Sequence, residues 1–291
     1  MRVEELMREI DVNVKKLVEV FAFLFKYRIL FRGTGVEFAG LKEYVAGEDD
    51  ATKIDWKASL RTQRLYVKQY EEERDLDIFI LVDASASMLF GSQEKLKYEY
   101  AAILAGSLAF AALENRDNVG FAMFNEKIIG FIEPSQEIAN YYHMLENLSR
   151  VSNYKGRCKL GDALTFVLNN LAEKTVLFVI SDFIGLDEKW RDGVKMVSAK
   201  FDRVIGIMVR DLRDTYLPKE VGYLRFQDPF SGKILTVNVD KIRKKFEEEA
   251  KKQEKEVEEE FLRSGAGFVK IYTHEPFIEP LIRYLELWEE Y

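Results

Sequence analysis

The sequence predicts an α/β protein with a doubly wound, mostly parallel sheet and flanking helices. From residue 77 onward, short apolar strands alternate with longer helical segments, which is typical of this fold class. Residues 78–82 are five consecutive apolar residues, which suit a central strand covered on both faces. A polar loop follows this strand directly, at the position where open α/β sheets bind their ligands.

The chain before this strand is predicted to be an extension, residues 1–74, packed on a main domain of residues 75–291. Residues 3–30 show an amphipathic helical stripe, formed by Leu6, Ile10, Val14, Leu17, Val18, Phe21, Leu24 and Phe25. We expect this helix to pack on the rest of the protein, and a peripheral membrane or partner helix is the alternative. Residues 33–74 have poor periodicity and dense charge, with a turn at Gly33 and Gly35 and one edge strand at residues 65–70.

In the main domain, the remaining strands are predicted at residues 119–124, 127–131, 176–180, 203–209 and 267–272. Helices are predicted at residues 96–113, 137–148, 160–171, 188–199, 239–263 and 276–287. A hairpin at residues 222–238 and the long helix after it are interpreted as an insertion, at about 220–263. The many charges of this helix are expected to form a solvated face with i,i+4 pairs.

Composition excludes several classes of function. Apolar residues make up 47% of the chain and charged residues 32%, as in a soluble globular protein. A net charge of −7 argues against a protein built to bind nucleic acid. The single cysteine, Cys158, excludes an internal disulfide framework, and two histidines leave little for histidine-based catalysis. We expect a cytoplasmic protein, because no secretory signal is visible and charges interrupt the longest apolar run, residues 17–31.

A candidate metal site follows from the loop after the first predicted strand of the main domain. Asp83, Ser85 and Ser87 occupy alternate positions, so their side chains can point the same way and converge. Carboxylate and hydroxyl oxygens are hard ligands that suit Mg²⁺ or Mn²⁺. Asp182 follows the strand at residues 176–180 and adds a second carboxylate. Taken alone, Asp182 could equally be a helix N-cap, but its pairing with the Asp83 loop favours a ligand.

This combination resembles the von Willebrand factor A domain, whose metal-ion-dependent adhesion site has the form Asp-x-Ser-x-Ser, then Thr, then Asp. The residues upstream resemble the domain of unknown function 58 family, through Gly35-Val36-Glu37-Phe38, Leu41-Lys42-Glu43-Tyr44, Gly47-Glu48-Asp49-Asp50 and Ile54-Asp55-Trp56-Lys57-Ala58-Ser59. The resemblance covers roughly residues 33–291. It implies an A-type domain with a family-specific extension and association with AAA+ ATPases of the MoxR type.

One position departs from the pattern. The segment Gly156-Arg157-Cys158-Lys159-Leu160 places Cys158 where the family has Thr. A thiol is a poor ligand for Mg²⁺, so either Asp83, Ser85, Ser87, Asp182 and water hold the metal, or the site is partly degenerate. Cys158 could also be a small filler of the core.

Three functions follow from these features. We favour a metal-dependent protein-binding module, an adaptor for a MoxR-type ATPase, whose metal accepts an acidic residue of the partner. A metal-dependent hydrolase of phosphoesters is the first alternative, although no general base is placed by a motif. A peripheral membrane protein, using the N-terminal helix, is the second.

Overall fold

The structure is a computed structural model that describes residues 1–32, 36–45, 52, 54–62, 64–72 and 77–287. The chain divides into two compact units, one formed by Met1–Phe21 with Leu76–Tyr291 and the other by Ala22–Asp75. Apart from short 3-10 segments, the elements in chain order are α1 (Val3–Arg32), β1 (Val36–Glu43), α2 (Trp56–Thr62), β2 (Tyr66–Glu72), β3 (Asp77–Asp83), α3 (Lys97–Glu114), β4 (Asn118–Phe124), β5 (Ile128–Ser135), α4 (Ile138–Ser149), α5 (Leu160–Asn170), β6 (Thr175–Ser181), α6 (Trp190–Lys200), β7 (Arg203–Arg210), α7 (Leu212–Thr215), β8 (Tyr223–Gln227), β9 (Ile234–Asn238), α8 (Val239–Arg263), β10 (Gly267–Tyr272) and α9 (Ile278–Leu287).

The larger unit is built on a mostly parallel sheet. Among the described residues this sheet has six strands in the order β10-β7-β6-β3-β4-β5, and only β5 runs antiparallel to its neighbour. Every residue of the central strand β3 is buried. The predicted mixed α/β architecture with a mostly parallel central sheet is therefore confirmed.

Helices cover both faces of this sheet, because successive side chains of a strand point to opposite faces. Phe79 and Leu81 of β3 pack in one cluster with Leu164 of α5, Val194 of α6 and Phe261 of α8. The alternate residues of β3 are also buried, and α3 and α4 pack together and contact β3 and β4. The consequence for function is that β3, β6, β7 and β10 all end at the same edge, and the loops after them meet there.

The connection from β7 to β10 contains α7, the antiparallel hairpin β8–β9 and the long helix α8. The predicted i,i+4 pairs are present, since Lys251 lies 2.7 Å from Glu247. The expectation of a solvated face is wrong for two glutamates of α8, because Glu254 and Glu260 are both buried. Glu254 accepts a hydrogen bond from Lys270 at 3.0 Å, so this burial is compensated by charge.

The smaller unit holds two elements that the sequence pattern did not predict. β1 pairs antiparallel with β2, with an irregularity between Phe38 and Gly40 that breaks the alternation. Helix α2 lies between them in sequence, and Asp55 caps it, since its Oδ1 accepts hydrogen bonds from the amides of Lys57 and Ala58, both at 3.0 Å. The turn predicted at Gly33 and Gly35 lies outside the described residues. That residues 33–74 pack on the main domain stays a prediction.

We expect Phe261→Ala to lower the free energy of unfolding by about 3–5 kcal/mol, because a fully buried aromatic side chain is removed and a cavity remains. Leu262→Ala on the same helix is the matched control and should change stability little, because Leu262 is 55% exposed. Denaturant unfolding of the two variants measures this difference. Equal effects would contradict the packing of α8 on the sheet.

Candidate functional site

The predicted site residues lie at the shared edge of two neighbouring strands. Asp83 is the last residue of β3; Ser85 immediately precedes a short 3-10 segment, Ala86–Leu89, and Ser87 lies within it. Asp182 comes directly after β6, which pairs in parallel with β3. All four side chains are buried, with at most 2% exposed. The strand order thus brings the two predicted segments together.

Hydrogen bonds fix the orientation of the Asp83 carboxylate. Its Oδ1 accepts the backbone N–H of Ser85 at 2.7 Å, and its Oδ2 accepts the hydroxyl of Ser181 at 2.6 Å. The hydroxyls of Ser85 and Ser87 lie 3.0 Å apart and share a hydrogen bond. The carboxylate and both serine hydroxyls therefore face one small volume, as the alternating sequence predicts. Ser181 was missed as a partner, although it immediately precedes Asp182.

A second loop holds this segment in place. The amide of Ala86 donates to the carbonyl of Gly156 at 3.0 Å, and the amide of Lys155 donates to the carbonyl of Ala84 at 2.9 Å. Gly156 has a φ of +71°, a conformation that side chains with a Cβ rarely adopt. The segment around Cys158 is therefore attached directly to the loop that carries Ser85 and Ser87.

Cys158 is a neutral, buried thiol beside the site. It packs in the main hydrophobic cluster, and 1% of it is exposed. Burial raises the pKa of the Cys158 thiol well above its ordinary value, and the charges of Asp83 and Asp182 raise it further. A neutral thiol is a poor ligand for a hard cation. Cys158 thus fills the core and also faces the carboxylates.

The structure adds a lysine that the sequence analysis missed. Lys97, the first residue of α3, is completely buried. Its ammonium donates to Asp182 Oδ2 at 2.7 Å and to both carboxylate oxygens of Asp214, at 2.9 and 3.1 Å. The other oxygen of Asp182 accepts the amide of Ile184 at 2.8 Å. Asp182 is therefore half of a buried ion pair.

Two aspartates after β7, Asp211 and Asp214, add further carboxylates to this edge of the sheet. Asp211 caps α7 and also accepts the amide and hydroxyl of Ser92, at 2.7 and 2.6 Å. Asp214 forms the second ion pair of Lys97, at 2.9 Å. Their position after a parallel strand next to β6 was the signal that could have revealed them, because the carboxyl ends of parallel strands meet at one edge.

Buried charge dominates the electrostatics of this edge. Burial raises the pKa of Asp83 to about 6, and the negative charge of Asp182 adds to the effect. Burial also raises the pKa of Asp214. Burial lowers the pKa of Lys97, but the charges of Asp182 and Asp214 outweigh it and hold that pKa above its ordinary value. The lysine therefore carries its charge at neutral pH.

The residues present fit a hard divalent cation in part. Asp83, Ser85 and Ser87 offer oxygens only, and within the described ranges no Lys or Arg forms an ion pair with Asp83. Asp182 offers oxygens too, but one of them is bound to Lys97. The described residues contain no group of three or more His, Cys, Asp or Glu side chains arranged to hold a metal. Any cation here depends on the serine hydroxyls.

The exposed rim of this edge carries charged side chains of both signs on one side and apolar side chains on the other. The carboxylate of Glu126 lies against the loop at Gly156, where a Cβ would be 3.2 Å from its Oε2. Lys155 and Arg157 lie exposed on the loop that contacts Ala84 and Ala86. The turn of the β8–β9 hairpin reaches the same rim, since a Cβ on Gly185 would lie 2.9 Å from the ring of Phe230. The hairpin exposes large apolar side chains, namely Tyr223, Ile234 and Leu235.

None of the helices in the described part of the chain combines the length and the apolar character needed to cross a bilayer.

Fold and site together define an α/β protein with a buried, carboxylate-rich centre at the C-terminal edge of a mostly parallel sheet. The chain belongs to the family described as protein of unknown function DUF58, whose family model matches residues 40–256. This confirms the predicted membership of that family.

Individual relatives and solved structures show a weaker similarity to this chain. Uncharacterized proteins of Mycobacterium bovis and Mycobacterium tuberculosis are 25% identical over 259 residues, which cover 88% of this chain and 80% of each relative. The conserved hypothetical protein BatB from Bacteroides thetaiotaomicron is similar with a TM-score of 0.49 and 16% identity, over 74% of this chain and 100% of that one. An aerotolerance-related membrane protein from Bacteroides fragilis has the same TM-score and identity, over 72% and 98% of the two chains.

We expect Asp83→Asn to gain stability relative to the wild type as the pH rises from about 4 to about 6. The pKa of Asp83 is raised from 3.8 to about 6 in the folded protein, so the folded state binds more protons than the unfolded chain in this window. The contribution of Asp83 to the free energy of unfolding of the wild type therefore falls as the pH rises, whereas an Asn at this position does not titrate. The difference in the free energy of unfolding should grow by on the order of 1–3 kcal/mol.

Denaturant unfolding in the presence of a chelator, at several pH values, measures this difference. Asp192→Asn is the matched control, because Asp192 lies exposed on α6 and should show no such trend. A difference between Asp83→Asn and the wild type that stays constant with pH would contradict the raised pKa of Asp83.

Proposed function

We propose that this protein is a metal-dependent protein-binding module of the von Willebrand factor A type, and that it acts as an adaptor for a MoxR-type AAA+ ATPase. The observation that carries the proposal is the convergence of Asp83, Ser85 and Ser87 on one buried volume without an ion-pair partner at Asp83 among the described residues. The ATPase partner rests on the family resemblance.

The donor set suits a hard divalent cation such as Mg²⁺ or Mn²⁺ and not a soft metal. A bound divalent cation would supply the positive charge that Asp83 lacks and an open coordination position for an outside oxygen. The serine hydroxyls would hold it as neutral ligands, and Asp83 would face it with an oriented carboxylate. Few negative ligands leave such a cation electrophilic, and therefore receptive to an acidic residue of a partner.

The rim supports an acidic partner segment. Lys155 and Arg157 are exposed beside the site, and Lys159 follows on the same loop. Hydrogen bonds from Ser231 and Phe230 lower the pKa of Asp228 in the hairpin turn, and the charge of Arg157 makes a smaller contribution in the same direction. A partner that offers Asp or Glu would meet basic groups first and the metal beneath them. The apolar hairpin next to the rim would add contact area.

Binding is favoured over hydrolysis by the positions of the histidines. His143 lies exposed on α4, near Glu146, and His274 lies after β10, near Glu275. Neither belongs to the hydrogen-bonded set around Asp83 and Asp182 among the described residues. The described part of the site therefore holds carboxylates and a charged lysine, and no histidine that could act as a general base beside the serine hydroxyls.

We expect Ser85→Ala to weaken binding of a MoxR-type ATPase from the same organism by at least about tenfold, or about 1.4 kcal/mol, because one hydroxyl ligand is lost. Biolayer interferometry with the purified ATPase in Mg²⁺, without nucleotide, measures this change. Ser149→Ala is the matched control, because its hydroxyl donates to the carbonyl of Glu146 within its own helix, α4, away from the site. Equal affinities for the wild type and Ser85→Ala would contradict the proposal.

Two parallel assays test the alternatives. Metal-dependent turnover of p-nitrophenyl phosphate that is abolished by Asp83→Ala would replace the adaptor with the hydrolase. Co-sedimentation with liposomes would favour the peripheral membrane protein.

We expect Cys158→Thr to tighten Mg²⁺ binding without loss of stability in the metal-loaded protein. The charges of Asp83 and Asp182 act on the thiol, so a hydroxyl of similar size at this position would lie near the proposed cation. A hydroxyl buried without a partner would instead cost about 1–3 kcal/mol. Calorimetry of Mg²⁺ binding and the melting temperature of the variant distinguish a hydroxyl near the cation from a buried hydroxyl without a partner. Unchanged affinity with a lower melting temperature would make Cys158 a core filler only.

A further inference from the structure

Lys97 is placed where several physical effects oppose a lysine. Its side chain is completely buried, and burial of an ammonium is costly. It begins α3, where the positive end of the helix dipole disfavours a cation. A long flexible side chain also loses conformational entropy when it is fixed. The carboxylates must offset these costs.

The ammonium satisfies Asp182 and Asp214 together. Its three donors face Asp182 Oδ2 and both oxygens of Asp214, at distances from 2.7 to 3.1 Å. The Phe90 ring lies 5.6 Å from the ammonium and covers it from another side. The charge is thus held by two carboxylates from two different segments, Asp182 directly after β6 and Asp214 in α7.

The two halves of the predicted ligand set therefore differ. Asp83, Ser85 and Ser87 bond among themselves, to Ser181 and to backbone, without a cation among the described residues. Asp182 already has one. An ammonium has no lone pair, so Lys97 cannot be a metal ligand. It can only compete with a metal for Asp182 or repel one.

We propose that Lys97 is a built-in counter-ion that keeps Asp182 from ligating the metal and thereby lowers the affinity of the site for divalent cations. The inference rests on the proposed metal site and concerns its regulation. Like charges a few ångströms apart repel strongly where water is excluded. The cation is then confined to Asp83, Ser85 and Ser87, and a partner carboxylate completes what Asp182 withholds.

The experiment removes the ammonium without leaving an excess of buried negative charge. Lys97→Met combined with Asp214→Asn deletes one positive and one negative group, and leaves Asp182 free. We expect this double variant to bind Mn²⁺ at least about tenfold more tightly than the wild type by isothermal titration calorimetry. We also expect a larger rise in melting temperature on addition of Mn²⁺.

The single variant Asp214→Asn is the matched control. It keeps Lys97 on Asp182, so its affinity for Mn²⁺ should not exceed that of the wild type. If the folded double variant and the wild type bind Mn²⁺ equally, the role of Lys97 is wrong while the metal site survives. If neither binds Mn²⁺, both proposals fail. If only the double variant binds it, Lys97 is supported and a metal-dependent function of the wild type is overturned.

A measurement on the unaltered protein tests the same point without relying on the folding of a variant. A buried, hydrogen-bonded ammonium exchanges its protons slowly enough to be followed by ¹H–¹⁵N NMR of the lysine Nζ groups. Because Lys97 also donates to Asp214, the informative quantity is the scalar coupling across the hydrogen bond from Lys97 Nζ to the Asp182 carboxylate carbon. We expect this coupling to persist when Mg²⁺ is added, because Asp182 stays paired. Loss of this coupling at metal saturation would mean that the cation takes Asp182 and would overturn the proposal.

Discussion

The buried negative charge at the C-terminal edge of the central sheet is the constraint on which the rest of the structure depends. Asp83 ends β3 and Asp182 follows the neighbouring β6, both completely buried, and Asp214 approaches from α7, the short helix after β7. One ammonium, that of Lys97, balances Asp182 and Asp214. Coulomb repulsion among carboxylates in a water-poor environment would otherwise be large, so the position of α3 is coupled to the ends of β6 and β7.

The long helix α8 is joined to the same edge by polar contacts. Gln253 donates to the carbonyl of Phe183 at 2.6 Å, and Arg210 at the end of β7 donates to Gln253. Phe183 follows Asp182 and has a φ of +53°, which is costly for an aromatic residue. Its ring is completely buried against Phe261 of α8. Packing on α8 thus stabilises the strained backbone that orients Asp182.

The sequence predicted the layers and the strand ends because their signals are local. The run at residues 78–82 and the alternation after it define β3 and the Asp83 loop, and the structure reproduces both. β1 and α2 were missed because dense charge and an irregular register near Gly40 hide their periodicity. Lys97 was missed for another reason. Its partner Asp182 is 85 residues away, and a lysine at a helix start looks like any solvated residue until the strand order is known.

Local charge, and not net charge, decides what can approach this edge. The chain carries a net charge of −7, which disfavours nucleic acid, yet the exposed loop beside the site presents Lys155 and Arg157. Salt screens charges beyond about 8 Å at physiological ionic strength, so an acidic segment at the rim would respond to the nearby charges, which are these basic groups and the carboxylate of Glu126. The carboxylates beneath would repel that segment if no further cation were present. An acidic partner and a divalent cation at Asp83, bound as proposed, would therefore favour each other.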